Sequence, residues 1–238
     1  MKLAGRTAIV TGAGRGIGRA VAAAFAAEGA SIALAARSTH ELDGVARQIG
    51  DAGGRALALP TDVRDESQVA AMVERTRREY GRVDILVTAA GTASFGPVAE
   101  SKMSDWDDIL AVNLRGAVLC CRAVLPAMMA QRRGTIINIG SVVTSRVLTG
   151  SAAYTTSKYG LLGFSRVLAE ELRPHEVRVG LLSAGATDTP LWDAIAGAPA
   201  RARMLKPEQV AQAALLIAAL EPNASLEELT LLPAGGIL

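Results

Sequence analysis

At 238 residues, half of them hydrophobic and a fifth charged, with a mean hydropathy of +0.28, the chain has the composition of a folded domain with a large apolar core and not of a disordered one. Its formal charge is only +2, with Lys and Arg mixed among Asp and Glu, so the long-range field that nucleic-acid binders rely on is missing. No apolar run approaches the roughly 20 residues of a bilayer span, and Met1 to Arg6 lacks the apolar stretch of a signal peptide, so the expectation is a soluble, cytoplasmic protein that binds neither membrane nor nucleic acid.

The first predicted element is a continuous apolar strand, Thr7 to Thr11. It runs straight into Thr11-Gly12-Ala13-Gly14-Arg15-Gly16-Ile17-Gly18 and then into a helical segment ending at Glu28. Glycines let a backbone approach a pyrophosphate closely, and a helix N-terminus offers free N–H groups with a partial positive charge, so this is a phosphate-binding turn. The spacing fits T-G-x-x-x-G-x-G and not G-x-G-x-x-G, because Ile17 takes the last glycine position of the latter. No Gly-Lys-Ser/Thr follows, which excludes a nucleoside-triphosphatase loop.

The second strand, Ser31 to Ala36, ends without the Asp or Glu that would accept hydrogen bonds from a ribose 2′-hydroxyl. Arg37 and Ser38 follow instead, and Arg15 approaches from the glycine turn, so two guanidinium groups are available to a 2′-phosphate and NADP(H) is the expected dinucleotide. The third strand, Ala56 to Leu59, leads to Asp62-Val63, where Asp62 either caps a turn or faces the cofactor. A helix over Ser67 to Tyr80 and a strand over Ile85 to Thr88 come next, then a long apolar helix over Asp105 to Gln131. That helix holds Asn113 and the adjacent Cys120 and Cys121, whose spacing suits neither a disulfide framework nor a zinc site, so buried thiols are expected and no metal.

The fifth strand, Thr135 to Ile139, places Ser141 at its carboxyl end, and thirteen residues after Ser141 comes Tyr154. Tyr154 and Lys158 stand one helical turn apart on one face of the helix that runs to Leu172, where an ammonium next to a phenol lowers the phenol pKa. Strands over Val177 to Leu182 and Leu229 to Leu232 complete seven, with a long segment from Ser183 to Leu205 between them. Continuous apolar strands alternating with helices imply an α/β Rossmann-like doubly wound parallel sheet, helices on both faces, in a three-layer α/β/α domain over residues 1–238. The segment 183–205 then lies at the carboxyl end of the sixth strand, where open α/β sheets bind ligands, and reads as a substrate lid.

Thr11 to Gly18, Asp62-Val63, Asn113, Ser141, Tyr154 and Lys158, in this order and spacing, resemble the short-chain dehydrogenase/reductase family along essentially the whole chain, in its NADP-preferring, 3-oxoacyl-[acyl-carrier-protein] reductase-like branch. The resemblance implies that Tyr154 is the general acid for carbonyl reduction and that Ser141 hydrogen-bonds the carbonyl oxygen. It also implies that Lys158 lowers the tyrosine pKa and holds the nicotinamide ribose, and that Asn113 supports a water-linked proton path. Carried over in the same way, Gly12, Arg15, Gly16, Ile17, Gly18, Arg37, Ser38, Asp62, Val63, Ala90, Gly91, Tyr154, Lys158, Gly185, Thr187 and Thr189 hold NADP(H), and the partners are a small carbonyl or alcohol substrate and further copies of the chain in a homotetramer or homodimer. The chain departs from the family pattern twice. Thr88-Ala89-Ala90-Gly91 lacks an amide that normally supports the sheet, and Ala184-Gly185 lacks a proline, which is expected to loosen that turn. These departures leave an alternative open, a catalytically idle protein that keeps NADP(H) as a structural or sensory ligand.

Overall fold

The computed structural model describes residues 1–193, 195, 198 and 200–236. All seven expected strands form: β1 (Thr7–Thr11), β2 (Ser31–Ala36), β3 (Arg55–Pro60), β4 (Ile85–Thr88), β5 (Gly134–Ser141), β6 (Val177–Ala184) and β7 (Glu228–Leu231). They pair in the order β3-β2-β1-β4-β5-β6-β7, every pairing parallel. The chain therefore builds outward from β1 to β3, returns across the middle, and builds outward again from β4. The reversal leaves a crevice where β1 and β4 lie side by side, at their carboxyl ends.

Among the described residues seven α-helices cover the two faces: α1 (Gly16–Ala27), α2 (Thr39–Asp51), α3 (Glu66–Tyr80), α4 (Met103–Leu110), α5 (Gly116–Gln131), α6 (Ala152–Leu172) and α7 (Pro207–Ala218). Successive strand residues point to opposite faces, so Ala8 and Val10 of β1 pack with Phe25, Leu42 and Val210 beneath α1, α2 and α7, while Ile9 packs with Met72, Val124 and Leu168 beneath α3, α5 and α6. At roughly 25 cal/mol per Å² these two apolar layers are the main stabilising term of the domain.

Three details differ from the sequence expectation. β5 and β6 each run two residues further than their apolar runs, because Gly140-Ser141 and Ser183-Ala184 keep pairing after hydrophobicity stops. Ser141 is thus carried by the strand itself. The helix expected from Asp105 to Gln131 begins at Met103 and contains a π-helical turn, Ala111–Arg115, that divides α4 from α5. Finally, the expectation that no apolar run suits a bilayer is corrected. Met103–Gln131 contains an 18-residue window of mean hydropathy 1.6, long and apolar enough by composition, with 44% of it buried inside the fold. Leu119, Cys120, Cys121, Val124 and Met128 of this helix lie in the core against the sheet, which accounts for their apolarity.

Candidate active site

A cleft of about 780 Å³ opens at the carboxyl ends of the strands. Its lining includes Gly12, Arg15, Gly16, Ile17, Gly18, Arg37, Ser38, Asp62, Val63, Ala90, Gly91, Ser141, Tyr154, Lys158, Gly185, Thr187 and Thr189, so seventeen of the eighteen expected site residues meet there. Asn113 stands behind the wall, buried.

The glycine turn is shaped by what it cannot hold. Gly12 and Gly16 adopt left-handed conformations, at φ 65° and 55°. A Cβ on Gly12 would lie 2.8 Å from the Ala89 carbonyl oxygen, and one on Gly16 3.1 Å from Thr189 Cγ2. Bare backbone therefore faces the cleft, with Thr189 brought over the turn from the far side. The first turn of α1 has no acidic residue, and no side chain caps its N-terminus. Its N–H groups are left for an anion, and the residues present fit a dinucleotide pyrophosphate.

Arg15 and Arg37 are exposed and form no ion pair among the described residues. Ser38 caps α2 by accepting a hydrogen bond from the Glu41 amide at 3.3 Å, which leaves its own hydroxyl proton free to be donated. Asp62 is committed to its turn: its carboxylate accepts from the Arg64 amide at 3.0 Å and from Arg64 Nη2 at 2.7 Å, and the Arg64 hydrogen bonds hold its pKa below the ordinary value. One carboxylate in this region escaped the sequence reading. Glu41 lines the cleft and packs against Gly14 so closely that a Cβ there would lie 2.7 Å from Glu41 Oε2. It places a negative charge in the part of the cleft that Arg15 and Arg37 also line.

At the catalytic end Ser141 and Lys158 are buried and Tyr154 is partly exposed to the cleft. Lys158 Nζ donates to the Ile139 carbonyl oxygen at 2.8 Å and lies 5.7 Å from the Tyr154 ring centroid, and burial lowers its pKa to about 8. Burial also raises the pKa of Tyr154, against a smaller lowering from the Ser141 hydroxyl. Burial and the Ser141 hydroxyl govern the phenol here, and the Lys158 ammonium is turned toward the Ile139 backbone oxygen. Tyr154 is held as a protonated acid.

Asn113, within the π turn, is a three-way clamp. Its Oδ1 accepts from the Thr92 amide at 2.8 Å, and its Nδ2 donates to the Thr92 carbonyl at 2.9 Å and to Ser157 Oγ at 3.1 Å. Both amide protons are used, so the side chain positions the loop after β4 and the helix of Tyr154, and has no proton left to donate elsewhere.

The support expected to be missing at Thr88-Ala89-Ala90-Gly91 comes from polar side chains on β1, β4, β5 and α6. Thr88 Oγ1 donates to Asn138 Oδ1 at 2.7 Å, and Asn138 Nδ2 donates to Ser165 Oγ at 2.8 Å, joining β4, β5 and α6 through the core. Thr11 Oγ1 accepts from the Ala89 and Ala90 amides at 3.1 and 3.2 Å. A lone Asn within the apolar run Thr135-Ile136-Ile137-Asn138-Ile139 was the available signal, since a buried amide requires partners. The turn at Ala184-Gly185 is likewise held without its proline. The Gly185 amide donates to Leu231 O at 2.8 Å, Thr187 Oγ1 to Gly185 O at 2.9 Å, and the Asp188 amide to Leu205 O at 2.8 Å. Beyond it, Arg201 clasps Asp188, Thr189 O and Asp193 at 2.6–2.8 Å. Four positions of the expected lid, Ala194, Ala196, Gly197 and Pro199, lie outside the described residues.

Comparison with known proteins agrees with this geometry. The sequence profile of the short chain dehydrogenase family matches residues 6–199. A D-threitol dehydrogenase of Mycolicibacterium smegmatis is 37% identical, over 91% of this chain and 87% of its own. A 3-oxoacyl-[acyl-carrier-protein] reductase of Thermotoga maritima is 33% identical over 94% of each. Among solved structures, a metagenomic short-chain oxidoreductase in complex with NADP superposes with a TM-score of 0.86 at 37% identity, covering 98% of this chain and 99% of that one. An alcohol dehydrogenase from Thermococcus sibiricus complexed with 5-hydroxy-NADP superposes at 0.89 with 29% identity, covering 96% and 97%.

Proposed function

The chain belongs to the short-chain dehydrogenase/reductase family, and from that premise we propose that it is an NADP(H)-dependent oxidoreductase interconverting a carbonyl and a secondary alcohol, with Tyr154 donating and accepting the proton. The observation that carries the reading is the meeting of Ser141, Tyr154 and Lys158 at one end of a cleft whose other end is a glycine cradle flanked by Arg15 and Arg37.

NADPH, when bound, supplies the hydride. Gly12, Gly16, Ile17 and Gly18 hold its pyrophosphate, Arg15, Arg37 and Ser38 its 2′-phosphate, and Asp62 with Val63 its adenine end. Ala90, Gly91, Lys158, Gly185, Thr187 and Thr189 hold the nicotinamide half. As negative charge grows on the carbonyl oxygen, Ser141 donates a hydrogen bond to it and Tyr154 transfers its proton, so the product leaves as the neutral alcohol. A phenol whose pKa is raised by burial keeps that proton until the oxygen is basic enough to take it. In the reverse direction the phenolate takes the alcohol proton, and the neighbouring Lys158 ammonium stabilises it.

The chain assembles as a homodimer or homotetramer through the outer faces of α4 to α6, where Met103, Tyr159 and Val167 are more than half exposed. The segment 183–205 acts as the substrate lid. A cytoplasmic setting suits the two free, buried thiols Cys120 and Cys121. Carbonyl-dependent oxidation of NADPH tests the reading: turnover of at least one ketone or aldehyde is expected, with kcat/KM for NADPH at least about tenfold above that for NADH. A chain that binds NADPH and reduces nothing on a broad carbonyl panel is instead the idle binder.

A further inference from the structure

We infer that the substrate is a ketone, or the matching secondary alcohol, whose carbonyl carbon carries a flat aromatic or similarly bulky apolar group, and that Phe95 and Trp192 select it. This rests on the oxidoreductase reading above and concerns what lies beside the reacting atoms. The Phe95 ring centroid is 6.2 Å from that of Tyr154 and 6.1 Å from that of Trp192, the latter pair stacked at 24°. Tyr154, Phe95 and Trp192 therefore form one aromatic wall that starts at the proton donor and runs toward the mouth. A substituent on a carbonyl hydrogen-bonded to Tyr154 has that wall to lie against, at distances where offset or tilted ring pairs are favourable.

Each part of the wall is fixed in place. The loop bearing Phe95 is held at Thr92 by Asn113 and at Gly96, whose amide donates to Gly150 O at 2.8 Å. Trp192 donates from its indole Nε1 to Thr187 O at 3.0 Å, and Arg201 ties the residues on both sides of it through Asp188 and Asp193. A wall already fixed before binding spends little ordering entropy on its ligand, so its shape selects.

Val143, Leu148, Pro190 and Leu191 add apolar surface beside this wall, while Arg146 and Val147 are turned largely to solvent. A polyol placed here would lose water from several hydroxyls and recover few hydrogen bonds, which costs more than its small apolar surface returns.

The test uses the full chain with NADPH and three probes: acetophenone, erythrulose as a small keto-polyol, and an acetoacetyl thioester. The expected result is a kcat/KM for acetophenone at least about tenfold above that for erythrulose, the discrimination a few buried methylene or ring contacts provide. Phe95→Ala and Trp192→Ala each lower acetophenone turnover about tenfold, mainly through KM, and leave the erythrulose value within about twofold and NADPH affinity unchanged. Phe95→Leu, which keeps apolar volume, gives an intermediate loss and serves if the alanine variant folds poorly. Preference for erythrulose or for the thioester over acetophenone, or equal losses for all three probes in the variants, overturns the inference and leaves the oxidoreductase reading standing. Failure to reduce any probe or wider carbonyl panel while NADPH still binds removes that reading, and this inference with it.

Discussion

The two ends of the cleft are built by different means. At the cofactor end the surface is mostly bare backbone: left-handed Gly12 and Gly16, an uncapped helix N-terminus, and two arginines that reach solvent without ion-pair partners among the described residues. At the catalytic end the supporting side chains are tied to one another, through Asn113 to Thr92 and Ser157, Thr88 to Asn138 to Ser165, and Lys158 to Ile139 O. The difference teaches where each end is vulnerable. Charge changes at the cofactor end alter affinity for one ligand group, because water screens and replaces them. At the catalytic end the same change disturbs both stability and chemistry, because nothing else fills the vacated hydrogen bond.

The largest effect expected from this contrast is a dependence of stability on pH through Lys158. Burial lowers its pKa from 10.5 to about 8, so below about pH 8 native and unfolded chains both carry the proton and the burial cost of the charge is borne in full. Between about 8 and 10.5 the unfolded chain holds more of that proton, and native stability rises with pH by up to roughly 3 kcal/mol from this one group. The difference in unfolding free energy between wild type and Lys158→Met should move toward wild type by that order across the window. A pH-independent difference in denaturant titrations would break the contrast at its catalytic end. Next in size, Arg37→Ala should raise KM for NADPH about tenfold, near 1.4 kcal/mol, with little change for NADH. Equal losses for both cofactors would show that Arg37 does not read the 2′-phosphate. The smallest effect is at Glu41, whose carboxylate shares the cleft with Arg15 and Arg37. Glu41→Gln should lower KM for NADPH about threefold and leave NADH unchanged, as expected of a solvent-screened charge. A weakened NADPH would mean that Glu41 orients a cation the phosphate needs.

The same contrast explains what was legible in the sequence. The cofactor end is local: one strand, one turn and one helix within Thr7–Ala27, so spacing alone reveals it, and the sheet follows from seven apolar runs. Tyr154 and Lys158 are also local, one helical turn apart. The supporting network is not. Thr88, Asn138 and Ser165 are 50 and 27 residues apart in sequence, and although a lone Asn138 in an apolar run signals a buried partner, only the parallel register of β4 and β5 shows that Thr88 stands beside it. The π turn escaped for a related reason, since its apolar pattern is that of any buried helix and only the reach of Asn113 toward Thr92 and Ser157 distinguishes it. Adjacency in sequence suggests that Lys158 tunes Tyr154, whereas the direction of the Tyr154 shift is set by burial, a property of the whole fold.

The claim on which everything else depends is that Tyr154 moves the proton while the other end of the cleft holds the cofactor, and Tyr154→Phe separates the two. It removes the phenol oxygen and keeps the ring against Phe95, so single-turnover reduction of the preferred ketone should slow by about 10² or more while the Kd for NADPH, measured by fluorescence on the same preparation, stays within about twofold of wild type. Near-normal reduction by the variant, or loss of NADPH binding in step with loss of turnover, would contradict the account.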